Sequence, residues 1–212
     1  MLSADGKPFI NLCFVDNEIY EIIKHKTRTA AWFVSHCDVH SKRDKLTLEL
    51  QKFIDVDVYG KCGNLSCPRA SHSACNEMLT TTYRFYFAFE NTLCVDYVTE
   101  KLFNVMDNYV VPIIYSGAEI TRFIPPKSYI DVNDFETVKD LADHLIYLSR
   151  NPREYAKYFW WKKHYKIVTP GLPFCEICEK INEFNLDNKR QVYGDIEKWF
   201  YQGACNKPNI KF

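Results

Sequence analysis

The 212-residue chain contains 27 basic and 27 acidic side chains, so its formal net charge is zero, and 47% of its residues are apolar. This balance excludes nucleic acid as the main expected partner, because phosphate backbones favour a strongly basic face. The sequence lacks a run of about 18 apolar residues and the apolar centre of a signal peptide, so it predicts no membrane span and no targeting segment.

Apolar runs of strand length alternate with amphipathic stretches along the chain. The predicted strands are 29–35, 54–59, 83–89, 110–115 and 128–132. The predicted helices are 42–53, 99–108, 137–149, one that begins at Pro152, and 195–201. This alternation predicts an α/β fold, a parallel sheet with helices on both faces.

The chain divides into three predicted parts. Residues 1–27 are weakly patterned and are expected to be a linker or the remnant of an earlier domain. Residues 28–169 contain the alternating strands and helices and form the expected ligand-binding domain. Residues 170–212 are predicted to form a cysteine-bearing tail that ends in one amphipathic helix.

Nine cysteines bear on the cellular compartment: Cys13, Cys37, Cys62, Cys67, Cys75, Cys94, Cys175, Cys178 and Cys205. Several lie in a polar loop (60–76), which favours a disulfide framework of the secretory pathway over reduced cytosolic thiols. The Cys175-x-x-Cys178 pair fits half a zinc site or a redox pair. A second well-spaced pair is missing, so disulfides are favoured over zinc.

The stretch 83–101 is the main candidate for a ligand site. An aromatic strand ends at Phe89, a polar cluster follows, and a helix begins near Thr99. Open α/β sheets bind ligands at the carboxyl ends of their strands. Glu100 and Lys101 stand at the predicted helix start, where phosphate is favoured. An acidic first turn with a solvated lysine is the ordinary alternative, and the two interpretations are balanced.

Arg43 begins the helix that follows the first predicted strand. A guanidinium there could hold a diphosphate through two hydrogen bonds, whereas an ordinary surface arginine is the alternative. The Asp55-Val56-Asp57 triplet looks like an Asp-x-Asp metal motif but alternates with apolar residues in a strand. We therefore expect a solvated strand face there, and no metal site.

Several separated motifs, in order, carry a family resemblance. The segment 87–103, Phe-Ala-Phe-Glu-Asn-Thr-Leu-Cys-Val-Asp-Tyr-Val-Thr-Glu-Lys-Leu-Phe, closely resembles the signature of the α1,3-fucosyltransferases. Further similarity lies in 32–37, 123–126, 134–145 and 158–162. The loop segments 58–63 and 67–69 resemble the invertebrate members. Together the likeness covers roughly residues 28–205.

This resemblance implies a GT-B-like enzyme of two domains, of which the chain matches the Rossmann-like, carboxyl-terminal, GDP-fucose-binding domain. The general base is expected on the other domain, so no catalytic residue is assigned here. The family's donor contacts transfer by position to Ser35 and His36 near the nucleotide and to Arg43 and Lys101 on the diphosphate. The guanosine–ribose and fucose pocket would be lined by Tyr86, Asn91, Tyr97 and Glu100. Many members have Asn where this chain has His36.

The resemblance further implies transfer of fucose from GDP-fucose to a GlcNAc residue of a glycan, in α1,3 linkage with inversion and without a metal or other cofactor. It implies a Golgi lumenal enzyme, anchored as a type II membrane protein by an amino-terminal segment outside this chain. Tail cysteines such as Cys175 and Cys178 would bridge to the amino-terminal domain. Two alternatives stay open, a catalytically inactive GDP-fucose-binding fragment and a cytosolic nucleotide-binding protein with reduced cysteines.

Overall fold

The computed structural model describes residues 17–67, 72–167, 174–187, 192–201, 204–205 and 210–211. Five strands form one sheet in the order β2-β1-β3-β4-β5, and every neighbouring pair is parallel. The strands are β1 (Arg28–Phe33), β2 (Val56–Tyr59), β3 (Tyr83–Phe89), β4 (Val111–Tyr115) and β5 (Ile130–Asp131).

Helices connect and flank these strands. In the described part of the chain they are α1 (Asn17–Ile23), α2 (Arg43–Leu50), α3 (His72–Thr81), α4 (Glu100–Met106), α5 (Val138–Arg150), α6 (Pro152–Ala156), α7 (Phe174–Asp187) and α8 (Ile196–Tyr201). Short 3-10 helices lie at Ile120–Arg122, Val132–Asp134 and Lys157–Lys163. A membrane-spanning segment is not found among the helices of the described residues.

The core lies on both faces of the sheet because successive strand side chains point to opposite faces. On β3, Phe85, Phe87 and Phe89 pack into one cluster with apolar residues of α1, α2, α5 and α6. Tyr86 and Ala88 belong to a second cluster with α3 and α4. Helices therefore cover both faces, and the predicted fold class is confirmed.

The strand prediction was accurate for β3, whereas three helices were missed: α1, α3 and α7. α1 lies within residues 1–27, which were expected to be weakly patterned. α3 begins inside the predicted cysteine loop (60–76) and contains Cys75, Asn76, Thr80 and Thr81, residues of low helix propensity. α7 lies in the segment 170–212, predicted as a cysteine-bearing tail with one helix at its end, α8. Ile177 and Ile181 have the four-residue spacing of a helix, but Cys175 and Cys178, after a Pro-Gly-Leu-Pro segment, favour a loop.

The described parts of both termini pack onto the sheet domain. Ile19 and Ile23 of α1 are buried in the first core cluster, and so is Ile210 near the carboxyl end. The backbone N–H of Lys211 donates to the carbonyl of Glu136 at 3.0 Å. The predicted boundaries after residues 27 and 169 stay predictions.

Within the described residues, three disulfides confirm the predicted disulfide framework: Cys37–Cys62, Cys67–Cys75 and Cys94–Cys205. Cys178 is an exposed free thiol. Cys13 and the Cys175 side chain lie outside the described residues. Among the described residues, no group of three His, Cys, Asp or Glu side chains is placed to hold a metal ion.

Candidate functional site

The topology places a switch point between β1 and β3. From β1 the chain passes through α2, on the first face, to the edge strand β2. From β3 it passes through α4, on the second face, to β4. Because the two connections diverge, they leave a crevice outside the carboxyl ends of the strands, where open α/β sheets bind ligands.

A cleft of about 420 Å³ opens at this position, on the side of α3 and α4. Ser35 and Gly60, which follow β1 and β2, form one part of its wall, and Glu100, Lys101 and Asn104 of α4 form another. Small-molecule sites typically enclose about 300–1,000 Å³. The cleft is therefore large enough for a nucleotide-sized ligand.

Gly60 is required at the cleft wall by its backbone. Its φ is +99°, a region that residues with a side chain rarely adopt. A Cβ there would also lie 2.4 Å from the carbonyl oxygen of Val34. The absence of a side chain lets the end of β2 approach the end of β1.

Three aromatic rings form an apolar part of the cleft wall: Phe33, Tyr59 and Tyr86. Phe33 makes edge-to-face contacts with Tyr59 at 5.0 Å and with Tyr86 at 5.6 Å between ring centroids. Tyr86 is only 6% exposed, and burial raises its pKa, so its hydroxyl stays protonated at neutral pH. These rings offer an apolar face for a planar group.

A series of hydrogen bonds positions the side chain of Tyr59 through its hydroxyl. The hydroxyls of Tyr59 and Tyr83 lie 2.7 Å apart, and Tyr83 donates to Asp57 at 2.6 Å. Asp57 also forms an ion pair with Arg28. The predicted solvated face is confirmed for Asp55, which is exposed, but not for Asp57, whose side chain is 16% exposed and belongs to this network.

The start of α4 is organised by Glu90, which the sequence analysis did not assign. This carboxylate, 2% exposed, accepts hydrogen bonds from the backbone N–H and the hydroxyl of Thr99, both at 2.8 Å. It also accepts from Lys101 Nζ at 2.9 Å. A charged residue directly after a buried strand needs partners if it is buried, which was the available signal. Glu90 thereby fixes Lys101 at the cleft.

Arg43 lies beneath the switch point, where it is 3% exposed. Its two terminal nitrogens donate to the carbonyls of Phe89 at 2.6 Å and of His36 at 2.8 Å, so the side chain ties the end of β1 to the end of β3. Its Nε is buried without a hydrogen-bond partner among the described residues. Burial lowers the pKa of this guanidinium, although the charge of Glu90 opposes the shift.

The predicted site residues divide into two groups. Ser35, Tyr86, Glu100 and Lys101 line the cleft. The other four predicted site residues follow β1 or β3 in sequence and do not line the cleft: His36, Arg43, Asn91 and Tyr97.

Two of these four are held by neighbouring elements. Asn91 is partly buried, and its carbonyl accepts from the N–H of Ser41 at 3.0 Å. Its Oδ1 has no hydrogen-bond partner in the described part of the chain. Tyr97 accepts at its carbonyl from Ser116, at 2.9 Å, and its ring meets that of Phe200 in α8 at 6.3 Å. Both follow the carboxyl end of β3 in sequence, but neither lines the cleft.

The family model and the similar proteins all point to one family. The model of the carboxyl-terminal region of glycosyltransferase family 10 (fucosyltransferase) matches residues 23–199. Alpha-(1,3)-fucosyltransferase C of Drosophila melanogaster is 45% identical over 200 residues, which cover 94% of this chain and 47% of that protein. Alpha-(1,3)-fucosyltransferase fut-1 of Caenorhabditis elegans is 43% identical over 148 residues, covering 69% of this chain and 34% of that protein. The chain thus spans about half the length of these relatives, or less.

Solved structures support the fold. An α1,3-fucosyltransferase crystallised with GDP-fucose superposes with a TM-score of 0.63 at 22% identity, over 82% of this chain and 52% of that one. An α1,3-fucosyltransferase with GDP superposes with a TM-score of 0.62 at 21% identity, over 77% of this chain and 48% of that one. At this identity the likeness establishes the shared architecture.

Proposed function

The chain belongs to glycosyltransferase family 10, the fucosyltransferases, and on that premise we propose that it forms the GDP-fucose-binding half of an α1,3-fucosyltransferase. The observation that carries the proposal is the cleft at the β1/β3 switch point, with Lys101 in its wall. The complete enzyme would act in the Golgi lumen, where it transfers fucose to a GlcNAc residue of a glycan.

The polar groups of the cleft suit a nucleoside diphosphate. Lys101 is 24% exposed at its side chain, so its ammonium can reach a diphosphate while Glu90 holds it in place. Glu100 is 69% exposed and can accept hydrogen bonds from sugar hydroxyls. The aromatic wall of Phe33, Tyr59 and Tyr86 would pack against the planar base.

Arg43 would act on the diphosphate from below. Its charge is buried, and both of its hydrogen-bonded partners are neutral carbonyls. A charge in a poorly solvated position acts more strongly on nearby ligands than one in water. The residue therefore contributes positive potential at the switch point and orders the strand ends that carry Ser35 and Asn91.

In the proposed reaction a glycan hydroxyl attacks the anomeric carbon of fucose from the side opposite the diphosphate. The new C–O bond forms as the bond to the diphosphate breaks, which inverts the configuration, and GDP leaves. A base on the other half of the enzyme takes the hydroxyl proton. Lys101 stabilises the negative charge that develops on the leaving diphosphate, an electrostatic role that needs no metal ion at this position.

Titration calorimetry of the chain with GDP tests the proposed site. We expect binding by the wild type and a loss of about tenfold or more, roughly 1.4 kcal/mol, in Lys101→Ala. The matched control is Lys139→Ala on α5, a 62%-exposed lysine, which should bind GDP as the wild type does. Absence of GDP binding, or equal affinity of Lys101→Ala and wild type, would contradict the site.

A second candidate function is a donor-binding fragment that is inactive by itself. The chain covers 47% of the Drosophila relative, and the base of the proposed reaction is expected on the other half of the enzyme. A fucose-transfer assay with a GlcNAc-terminated glycan separates the two functions. GDP binding without transfer indicates an inactive fragment, whereas transfer by this chain alone requires a base within its own residues.

A further inference from the structure

The loop after β2 contains a sequence motif unrelated to donor binding. Asn64-Leu65-Ser66 is the one Asn-x-Ser/Thr triplet in the 212 residues, and its middle residue is not proline. This triplet is the acceptor signal for N-linked glycosylation, which requires a surface position in a protein of the secretory pathway. Such a triplet often occurs by chance, so its structural setting decides whether it can be glycosylated.

The structure presents the triplet at the surface. Asn64, Leu65 and Ser66 are all exposed. The Asn64 side chain makes no hydrogen bond within the part of the chain that the structure describes. An acceptor asparagine must present its amide to an enzyme, and within the described residues Asn64 has no side-chain hydrogen bond to break first.

The loop is nevertheless ordered against the sheet. The N–H of Leu65 donates to the carbonyl of Val58 at 3.3 Å, and the N–H of Gly60 donates to the carbonyl of Leu65 at 2.9 Å. These bonds join the middle of the triplet to the end of β2, while the residues on either side remain exposed. The position of Asn64 is therefore fixed at the edge of the sheet.

Disulfides supply independent evidence for the compartment. Cys62, two residues before Asn64, pairs with Cys37, and Cys67, three residues after it, pairs with Cys75. Disulfides form and persist in oxidising compartments such as the lumen of the endoplasmic reticulum, the start of the secretory pathway. The disulfides that flank the triplet thus form in the same compartment in which asparagine is glycosylated.

We propose that Asn64 is an N-glycosylation site. The co-reactant is an oligosaccharide joined to a lipid diphosphate. The amide nitrogen of Asn64 bonds to the anomeric carbon of the oligosaccharide, the C–O bond to the diphosphate breaks, the amide loses one proton, and the lipid diphosphate leaves. This assignment rests on the triplet and the disulfides, and it does not depend on the proposed donor site.

The position of Asn64 gives the glycan a physical consequence. β2 is an edge strand of the sheet, and exposed edges invite pairing with strands of other chains. A bulky, hydrophilic glycan beside the end of β2 opposes such pairing. Gly60 and Cys67 line the donor cleft, whereas Asn64 does not, so the glycan is attached outside the cleft.

Peptide mass spectrometry tests the site directly. The chain is produced in animal cells behind a cleavable signal peptide and treated with peptide-N-glycosidase, which converts a glycosylated asparagine to aspartate. Trypsin cuts after Lys61 and after Arg69, so one peptide contains Asn64 and no other asparagine. We expect this peptide to show the deamidation mass only after the glycosidase. An unmodified Asn64 peptide in secreted wild-type protein overturns the proposal.

Three variants supply a second measurement by electrophoretic mobility. Asn64→Gln removes the acceptor, Ser66→Ala removes the signal but keeps the asparagine, and Ser66→Thr keeps the signal. The glycosidase-sensitive shift should disappear in the first two variants and persist in the third. A shift that remains in Asn64→Gln and Ser66→Ala rules out this site. GDP affinity of the Asn64→Gln chain should equal that of the wild type.

Discussion

Lys101 Nζ lies 2.9 Å from a carboxylate oxygen of Glu90, a residue only 2% exposed at the carboxyl end of β3. The same carboxylate accepts hydrogen bonds from the backbone N–H and the hydroxyl of Thr99, just before α4. One buried charge therefore links a strand end, a helix start and the cation that lines the cleft. Glu90 acts on a ligand through Lys101, as a positioning residue.

Replacing Glu90 by Gln should lower the free energy of unfolding by about 1–3 kcal/mol, because the buried acceptor loses its charge and its bond to Lys101. It should also weaken GDP binding. Urea denaturation of Glu90→Gln, Lys101→Met and the double variant should give a coupling energy of about 0.5–3 kcal/mol. The exposed pair Lys139–Asp143 serves as the control cycle and should give about 0–0.5 kcal/mol. Equal coupling in both cycles would show that Glu90 does not hold Lys101.

Gly60→Ala should be destabilising because the residue has a φ of +99° and a new Cβ would lie 2.4 Å from the Val34 carbonyl. We expect a loss of about 1–3 kcal/mol in the free energy of unfolding, together with weaker GDP binding. Gly194→Ala is the matched control, since a Cβ there meets nothing within 4 Å. If the two variants unfold at the same urea concentration, the close approach of β2 to β1 is not required.

The Cys94–Cys205 disulfide joins the loop after β3 to the carboxyl-terminal segment across 111 residues of sequence. Replacing both cysteines by Ala should lower the free energy of unfolding by about 2–5 kcal/mol, because the unfolded chain gains conformational freedom. Denaturation under non-reducing conditions measures the loss. Cys178→Ala, at an exposed free thiol, should change stability by about 0.5 kcal/mol at most. A double variant as stable as Cys178→Ala would argue against this link.

Asp131 predicts a pH dependence of stability. Burial raises the pKa of Asp131 to about 6 from an ordinary value of 3.8, so the folded state binds its proton more tightly than the unfolded state does. This group's contribution to stability is therefore full below about pH 4 and is lost as the pH rises to about 6.

Asp131→Asn removes the titrating group and keeps an oxygen that can accept from the Asn133 N–H, now at 2.9 Å from Asp131. Urea denaturation between pH 4 and pH 8 measures the difference between the two proteins. Relative to Asp131→Asn, the wild type should lose stability between about pH 4 and pH 6 and then stay level. A constant difference across this range would contradict the raised pKa.

The alternation of strands and helices, the parallel sheet and the family resemblance centred on 87–103 could all be predicted from the sequence. These features are local, because strand and helix periods are written in neighbouring residues. Lys101 and Glu100 could be placed at the cleft for the same reason, since a helix start that follows a buried strand must lie at the carboxyl edge of the sheet.

The contacts that these residues make depend on the packing of elements distant in sequence. Arg43 could be assigned to a helix start from sequence, but its burial on the carbonyls of His36 and Phe89 depends on how β1 and β3 pair. The Glu90–Lys101 pair and the Cys94–Cys205 link likewise depend on elements brought together by packing. Such contacts join residues distant in sequence, and no local period encodes which distant partner a buried charge or a cysteine will meet.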